Sequence, residues 1–196
     1  MTAVNGEPRG GIRDTVDALV ICGATGVGKT ATAREVSRRL VEGGLAHALV
    51  ERDELDRVHP WPPPGLPRWE PARRNLAAIW ATYAGLGHHR LVLCGVFADL
   101  RQELRWIAEA VPDAAVTVVR LTAPRDVLAS RVRRRDTGGA ARDQLWRSER
   151  QMEEIAATDP PGTLVVDTAN LPVAATADRL IALWPAVPGD AAPGAR

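Results

Sequence analysis

Eight consecutive residues, Gly23-Ala24-Thr25-Gly26-Val27-Gly28-Lys29-Thr30, have the types and the spacing to hold a chain of phosphates. The pattern is G-x-x-x-x-G-K-[ST]. Glycines let the backbone curl so that successive N–H groups point inward at phosphate oxygens. A lysine ammonium reaches the outer phosphates, and the next hydroxyl ligates Mg²⁺. Ala31 continues the loop into a helix, whose positive end adds to the attraction. Average residue frequencies give this pattern by chance in roughly one chain of this length in a hundred. Lys29 is also the only lysine; every other strong base in the chain is arginine. A compact ammonium set between phosphates is not interchangeable with a planar guanidinium, which accounts for the exception.

A phosphate loop serves kinases, GTPases, motors and regulatory modules alike, so the remaining chemistry must come from elsewhere. Glu51-Arg52-Asp53 closes an apolar run. A carboxylate there faces the loop across a sheet, and Asp53 is the candidate to take a proton from an acceptor hydroxyl or to hold Mg²⁺ through water. The alternative is that Asp53-Glu54 simply opens a helix, where the dipole favours acid. Arg131, Arg133, Arg134 and Arg135 precede Asp136-Thr137-Gly138-Gly139. A guanidinium cluster followed by a glycine hinge reads as a lid, spanning about 131–157, that closes positive charge over a transferring phosphoryl group and excludes water. The alternative is a solvated basic helix end. With its one lysine already in the loop, the chain has no Asn/Thr-Lys-x-Asp segment for selecting guanine. Asp167-Thr168-Ala169-Asn170-Leu171-Pro172 leaves a strand where a nucleotide base would lie, with Asn170 as either a contact or a plain turn residue. The stretch from His59 to Pro71 holds six prolines and can be neither regular helix nor central strand. It is either a stiff connection or a wall over an acceptor, with Trp61 and Trp69 as flat surfaces and Arg68 as a polar contact. The four histidines show no metal-ligand spacing.

The elements that must position these groups follow from periodicity. Five nearly continuous apolar runs, 18–22, 46–51, 90–96, 115–122 and 163–167, predict parallel strands buried on both faces. Helical patterns lie between them. One covers 29–42 and stops at Gly43-Gly44, and another covers 71–86. A third, 100–110, opens on an Asp99-x-x-Gln102 cap. The fourth, 125–135, starts after Pro124, the fifth covers 140–157, and the last runs from Pro172 to Leu183. Strands alternating with helices make an α/β fold in which ligands sit beyond the carboxyl ends of the strands. The domain is expected to span 15–184, with 1–14 and 185–196 as tails.

The 196 residues suffice for one such domain, and a net charge of +1 gives no field to favour nucleic acid or an anionic membrane. No apolar run approaches the roughly 20 residues of a membrane span. The N-terminal 14 residues lack the apolar core of a signal peptide, and Cys22 and Cys94 lie inside apolar runs. These features give the expectation of a cytoplasmic protein with buried thiols. Oligomeric state is not legible.

Taken together, the loop and the segment from Leu121 to Arg135 resemble the small P-loop kinases of the nucleoside-monophosphate-kinase-like group. That group includes adenylate, shikimate and adenylylsulfate kinases and chloramphenicol phosphotransferase. The resemblance covers roughly 18–184. It implies a P-loop fold with a five-stranded parallel sheet, helices on both faces and a helical lid. It also implies ATP and Mg²⁺ as cofactors and a small-molecule acceptor as partner. By the same match Arg131 stacks on adenine, Arg135 contacts phosphates, Asp53 meets the acceptor hydroxyl and Arg101 contacts the acceptor. In this chain the third strand does not end directly in an acidic residue, so the usual carboxylate is missing unless Asp99 or Asp53 takes its role. The function implied is transfer of the γ-phosphoryl group of ATP·Mg²⁺ to a hydroxyl. The second reading is an ATP-binding regulatory module with little or no transfer.

Overall fold

The computed structural model describes residues 15–61, 64–97, 99–135, 151–153, 155 and 157–185, with 132–135 as backbone only. Both expected tails up to 14 and from 186, most of the expected lid and the Arg135 side chain lie outside the described residues.

Five strands form one parallel sheet: β1 (Val16–Cys22), β2 (Ala48–Glu51), β3 (Arg90–Cys94), β4 (Ala114–Thr122) and β5 (Leu164–Asp167). Their order is β2-β3-β1-β4-β5, and every paired neighbour is parallel. From β1 the chain goes out to β2 at the edge, returns inward to β3 beside β1, and then crosses to β4 and β5 on the other side. The carboxyl end of β1 is therefore the switch point, where an open α/β sheet leaves a crevice.

Alternation along β1 assigns the two helical layers. Val16, Ala18, Val20 and Cys22 pack toward α2 (Glu70–Gly85) and α3 (Leu100–Ala110), with Leu76, Trp80, Trp106 and Ile107. Leu19 and Ile21 pack toward α1 (Lys29–Glu42), α4 (Arg125–Arg135) and α5 (Val173–Leu183), with Val36, Leu128 and Leu180. Burial on both faces holds for β1 and β3. It does not hold for β4 and β5, where Val165 is 47% exposed because the α2–α3 layer covers the other half of the sheet.

Helix limits follow local chemistry. α1 ends in a Schellman turn: the Leu45 N–H donates to Leu40 O at 2.8 Å and the Gly44 N–H to Val41 O at 3.0 Å. Asp99 caps α3 by accepting the Gln102 N–H at 3.1 Å. The Leu128 N–H returns to Pro124 O at 3.0 Å, fixing the first turn of α4. Two strands are two residues shorter than their apolar runs, and β5 is one residue shorter. β2 starts at Ala48 because Leu45 belongs to the turn and the His47 ring is bound between Ser37 and the Leu45 carbonyl. β3 stops at Cys94 because Gly95 turns under Arg52. α2 opens at Glu70, one residue early, with Pro71 in its first turn, where a missing N–H costs nothing.

At the amino end of the sheet, paired Asp17 and Arg90 both face α5. Arg90 donates to Asp17 at 3.1 Å, the Trp184 indole N–H donates to the other Asp17 oxygen at 2.5 Å, and the guanidinium lies 5.4 Å from the Trp184 ring centre. All three residues are buried. Among the described residues no helix is long and apolar enough to cross a membrane.

Candidate active site

The loop 23–30 joins β1 to α1 at the switch point. Gly23 cannot be replaced without distortion, since its φ is +134° and an added Cβ would sit 2.4 Å from the Leu121 carbonyl oxygen of β4. β4 thus presses on the loop and sets its curl. The first turn of α1 carries no acidic residue, so the helix leaves its positive end to the loop. Lys29 is buried and folds across the turn, donating from Nζ to the Ala24 carbonyl at 2.8 Å. Thr30 is half-buried and Ala31 exposed.

The carboxylate beside the loop is Glu51, the last residue of β2. Its Oε2 accepts from the Thr30 hydroxyl at 3.5 Å, and its Oε1 takes Arg34 at 2.8 Å. Asp53 is exposed on the short 3₁₀ turn Arg52–Glu54 that follows. Both acids bear on one group: burial first, then Glu51, with Asp53 behind it, pushes the Cys94 thiol up to about 12, while Lys29 and Arg34 oppose. Lysine, threonine, two carboxylates and Arg34 therefore gather around the carboxyl ends of β1, β2 and β3. Glu51 was within reach of sequence reasoning, since it closes the apolar run 46–51.

A second set of contacts ties the loop to the opposite side of the crevice. Arg131 of α4 donates to the Thr168 carbonyl at 2.7 Å, the Thr168 hydroxyl at 2.9 Å and the Val27 carbonyl at 3.4 Å. The buried Thr168 hydroxyl also lies within hydrogen-bond reach of Val27 O (3.2 Å) and Thr122 O (3.1 Å). One threonine thereby joins the end of β4, the phosphate loop, α4 and the exit of β5. Asn170 is exposed on the turn into α5, shaped by Asp167 accepting the Ala169 N–H at 2.9 Å. From the other side Gln151 accepts both the backbone N–H and the hydroxyl of Thr25, each at 3.2 Å. No sequence pattern marks Thr168 or Gln151 for these roles.

Beside the loop, past the ends of β2 and β3, lies an open cleft of about 480 Å³. Its floor is Arg52, Asp56 and Glu103; the proline-rich connection supplies Trp61, Arg68 and Trp69; the start of α3 supplies Asp99 and Gln102. Trp61 and Arg68 both line this cleft, whereas Arg101 is exposed and outside the lining. Arg52 donates to Asp56 at 2.5 Å and to Glu103 at 3.5 Å, and the other Glu103 oxygen accepts the Trp106 indole N–H at 2.9 Å. Burial pushes the Glu103 carboxyl up, against the pull of Arg52 and the Trp106 bond. Gly95 makes room for this arrangement: a Cβ there would come within 2.6 Å of the Arg52 Cβ.

Known proteins share this framework. The AAA domain profile matches residues 19–156. No curated protein matches the sequence. The tunicamycin resistance protein of Deinococcus radiodurans is similar in structure, with a TM-score of 0.59 at 22% identity over 85% of this chain and 94% of that one. A gluconokinase from Sinorhizobium meliloti 1021 gives 0.54 at 23% identity, over 88% and 93% of the two chains. The APS kinase of Mycobacterium tuberculosis, in complex with AMPPNP and APS, gives 0.55 at 18% identity, over 86% and 97%. At these identities the likeness is one of fold. The chain belongs to the AAA domain family, and its fold is that of the small P-loop kinases.

Proposed function

We propose that the protein transfers the γ-phosphoryl group of ATP to a hydroxyl of a small-molecule acceptor. The observation that carries this reading is the adjacency of two spaces: a phosphate loop with a buried lysine, and a separate cleft past the ends of β2 and β3. Phosphoryl transfer asks the protein for in-line positioning and charge stabilisation rather than covalent chemistry. Backbone N–H groups of Gly26–Thr30 hold the β-phosphate, and Lys29 leaves the Ala24 carbonyl to reach the β- and γ-oxygens. Arg131 donates through its edges to Thr168 and Val27, which leaves the guanidinium face for adenine beside Asn170.

The oxygens of Thr30 and Glu51 fit Mg²⁺, a hard cation that takes one or two protein oxygens and completes its shell with phosphates and water. When bound, the ion neutralises charge on the transferring group. With Glu51 on that side, exposed Asp53 is the carboxylate left to orient the acceptor hydroxyl and take its proton. The hydroxyl oxygen bonds to the γ-phosphorus, the bond to the bridging oxygen breaks, and ADP leaves with that electron pair. Arg135 and its neighbours supply positive charge from the lid. Trp61 and Arg68, with Arg101 further out, contact the acceptor.

The test is ADP release from ATP·Mg²⁺, with and without a deproteinised metabolite extract. Release that rises only with extract, and is lost in folded Lys29→Ala, is the expected result. Undiminished turnover in that variant overturns the reading. A protein that binds ATP yet shows no stimulation by extract is instead the regulatory module. Asp53→Asn separates the two roles further, by lowering turnover at unchanged ATP affinity.

A further inference from the structure

We propose that the cleft beside the phosphate loop selects acceptors that are uncharged or cationic and excludes carboxylates and phosphates. The inference rests on the phosphotransferase reading for the word acceptor, but its physical basis is the charge inside the cleft. Arg52 is the one buried cation of the lining, its side chain 16% exposed, and it is already held by Asp56 and Glu103, which are 13% and 11% exposed. Both Glu103 oxygens are engaged, the second by the Trp106 indole N–H. An entering anion meets in Arg52 a cation already neutralised by Asp56 and Glu103, and lies beside their like charge. Asp99 adds a third carboxylate at the mouth, where it also caps α3. Against three acids stand Arg52 and Arg68, and Arg68 is exposed, so water and salt screen it.

The uncharged possibilities are correspondingly open. Arg52 Nε is buried with no hydrogen-bond partner among the described residues. With no surface open to the cleft, that donor gives an entering anion nothing to bind. Trp61 and Trp69 offer flat apolar area to a ring. The ligand class is therefore a hydroxyl-bearing ring compound, neutral or aminated. Repulsion of the wrong charge, built into the site, supplies the discrimination.

Tryptophan quenching tests the cleft without any substrate. The emission lost on Trp61→Phe and Trp69→Phe isolates the two cleft indoles, and its quenching is measured by caesium, iodide and acrylamide at constant ionic strength. The expected result is a caesium-to-iodide ratio at least threefold above that of a free tryptophan amide, falling toward it in Asp56→Asn and Glu103→Gln. Quenching by iodide equal to or above that by caesium, relative to the free amide, overturns the proposal. If Trp69→Phe does not fold, exposed Trp61 alone provides the signal. In the second arm, the extract is passed over an anion exchanger. Stimulation of ADP release by the flow-through supports the proposal, and stimulation only by the retained fraction overturns it. Release from neither fraction counts against the phosphotransferase reading and leaves charge selection to the quenching result.

Discussion

Gly23 and Lys29 set the two tightest constraints at the scale of single residues. Adding one methyl group in Gly23→Ala forces both a strained φ and a clash with a backbone oxygen that cannot rotate away. Strain and overpacking together should cost on the order of 3 kcal/mol, read as a lowered urea midpoint at unchanged slope. Lys29→Arg keeps the charge but brings a planar fork into a space formed around an ammonium 2.8 Å from Ala24 O. Turnover should fall at least about 10²-fold while circular dichroism stays unchanged, because a misplaced cation forfeits transition-state stabilisation of that order. These two positions are the most legible in the sequence, since the loop is contiguous and its spacing is itself the chemistry. Glu51 and Asp53 show where legibility stops. Both stand at the same strand end, and the 3₁₀ turn Arg52–Glu54 that carries Asp53 away leaves Glu51 against Thr30.

Elements were legible wherever punctuation marks them. Gly43-Gly44, Asp99 and Pro124 fix the end of α1 and the starts of α3 and α4, and the structure places those limits at the same residues. The cleft was not legible as a unit, because its lining comes from 52–56, 61–69 and 99–103, three segments that only the sheet order brings together. Trp61 and Arg68 stood out by type; Asp56, Gln102 and Glu103 look like ordinary surface polar residues. Thr168 is the clearest case of a role without a signal. A threonine in a turn invites no comment, yet here it joins four elements. Thr168→Val keeps the shape and removes the hydroxyl. It should lower stability by about 1–3 kcal/mol in urea and raise the KM for ATP more than it lowers kcat, since it loosens the loop and Arg131 without touching the reacting atoms.

The whole molecule is held from within by β1, and its two thiols report on that interior. Burial, with Asp159 adding to it, pushes the Cys22 thiol up to about 12, and Cys94 stands at about 12 as well. An unfolded thiol ionises near 9.0. Between about 9 and about 12 the unfolded chain gives up protons that the folded one keeps, so stability falls as pH rises through that window. A Cys22→Ala/Cys94→Ala double variant should show a flatter alkaline limb than the parent in urea midpoints measured from pH 8 to 11. At pH 8 neither thiol should react with a thiol reagent until the protein is unfolded. The Asp17–Arg90–Trp184 cluster carries a different consequence. Trp184 meets Asp17 across 167 positions of sequence, so the strand at the centre of the sheet is synthesised well before the indole that closes its base. A chain emerging from the ribosome holds β1 without β4 beside it until residue 122 has cleared the exit tunnel, and without the indole beneath it until residue 184 has. Co-translational folding can therefore assemble the β1–β3 half early, but the complete sheet forms only once β5 has emerged.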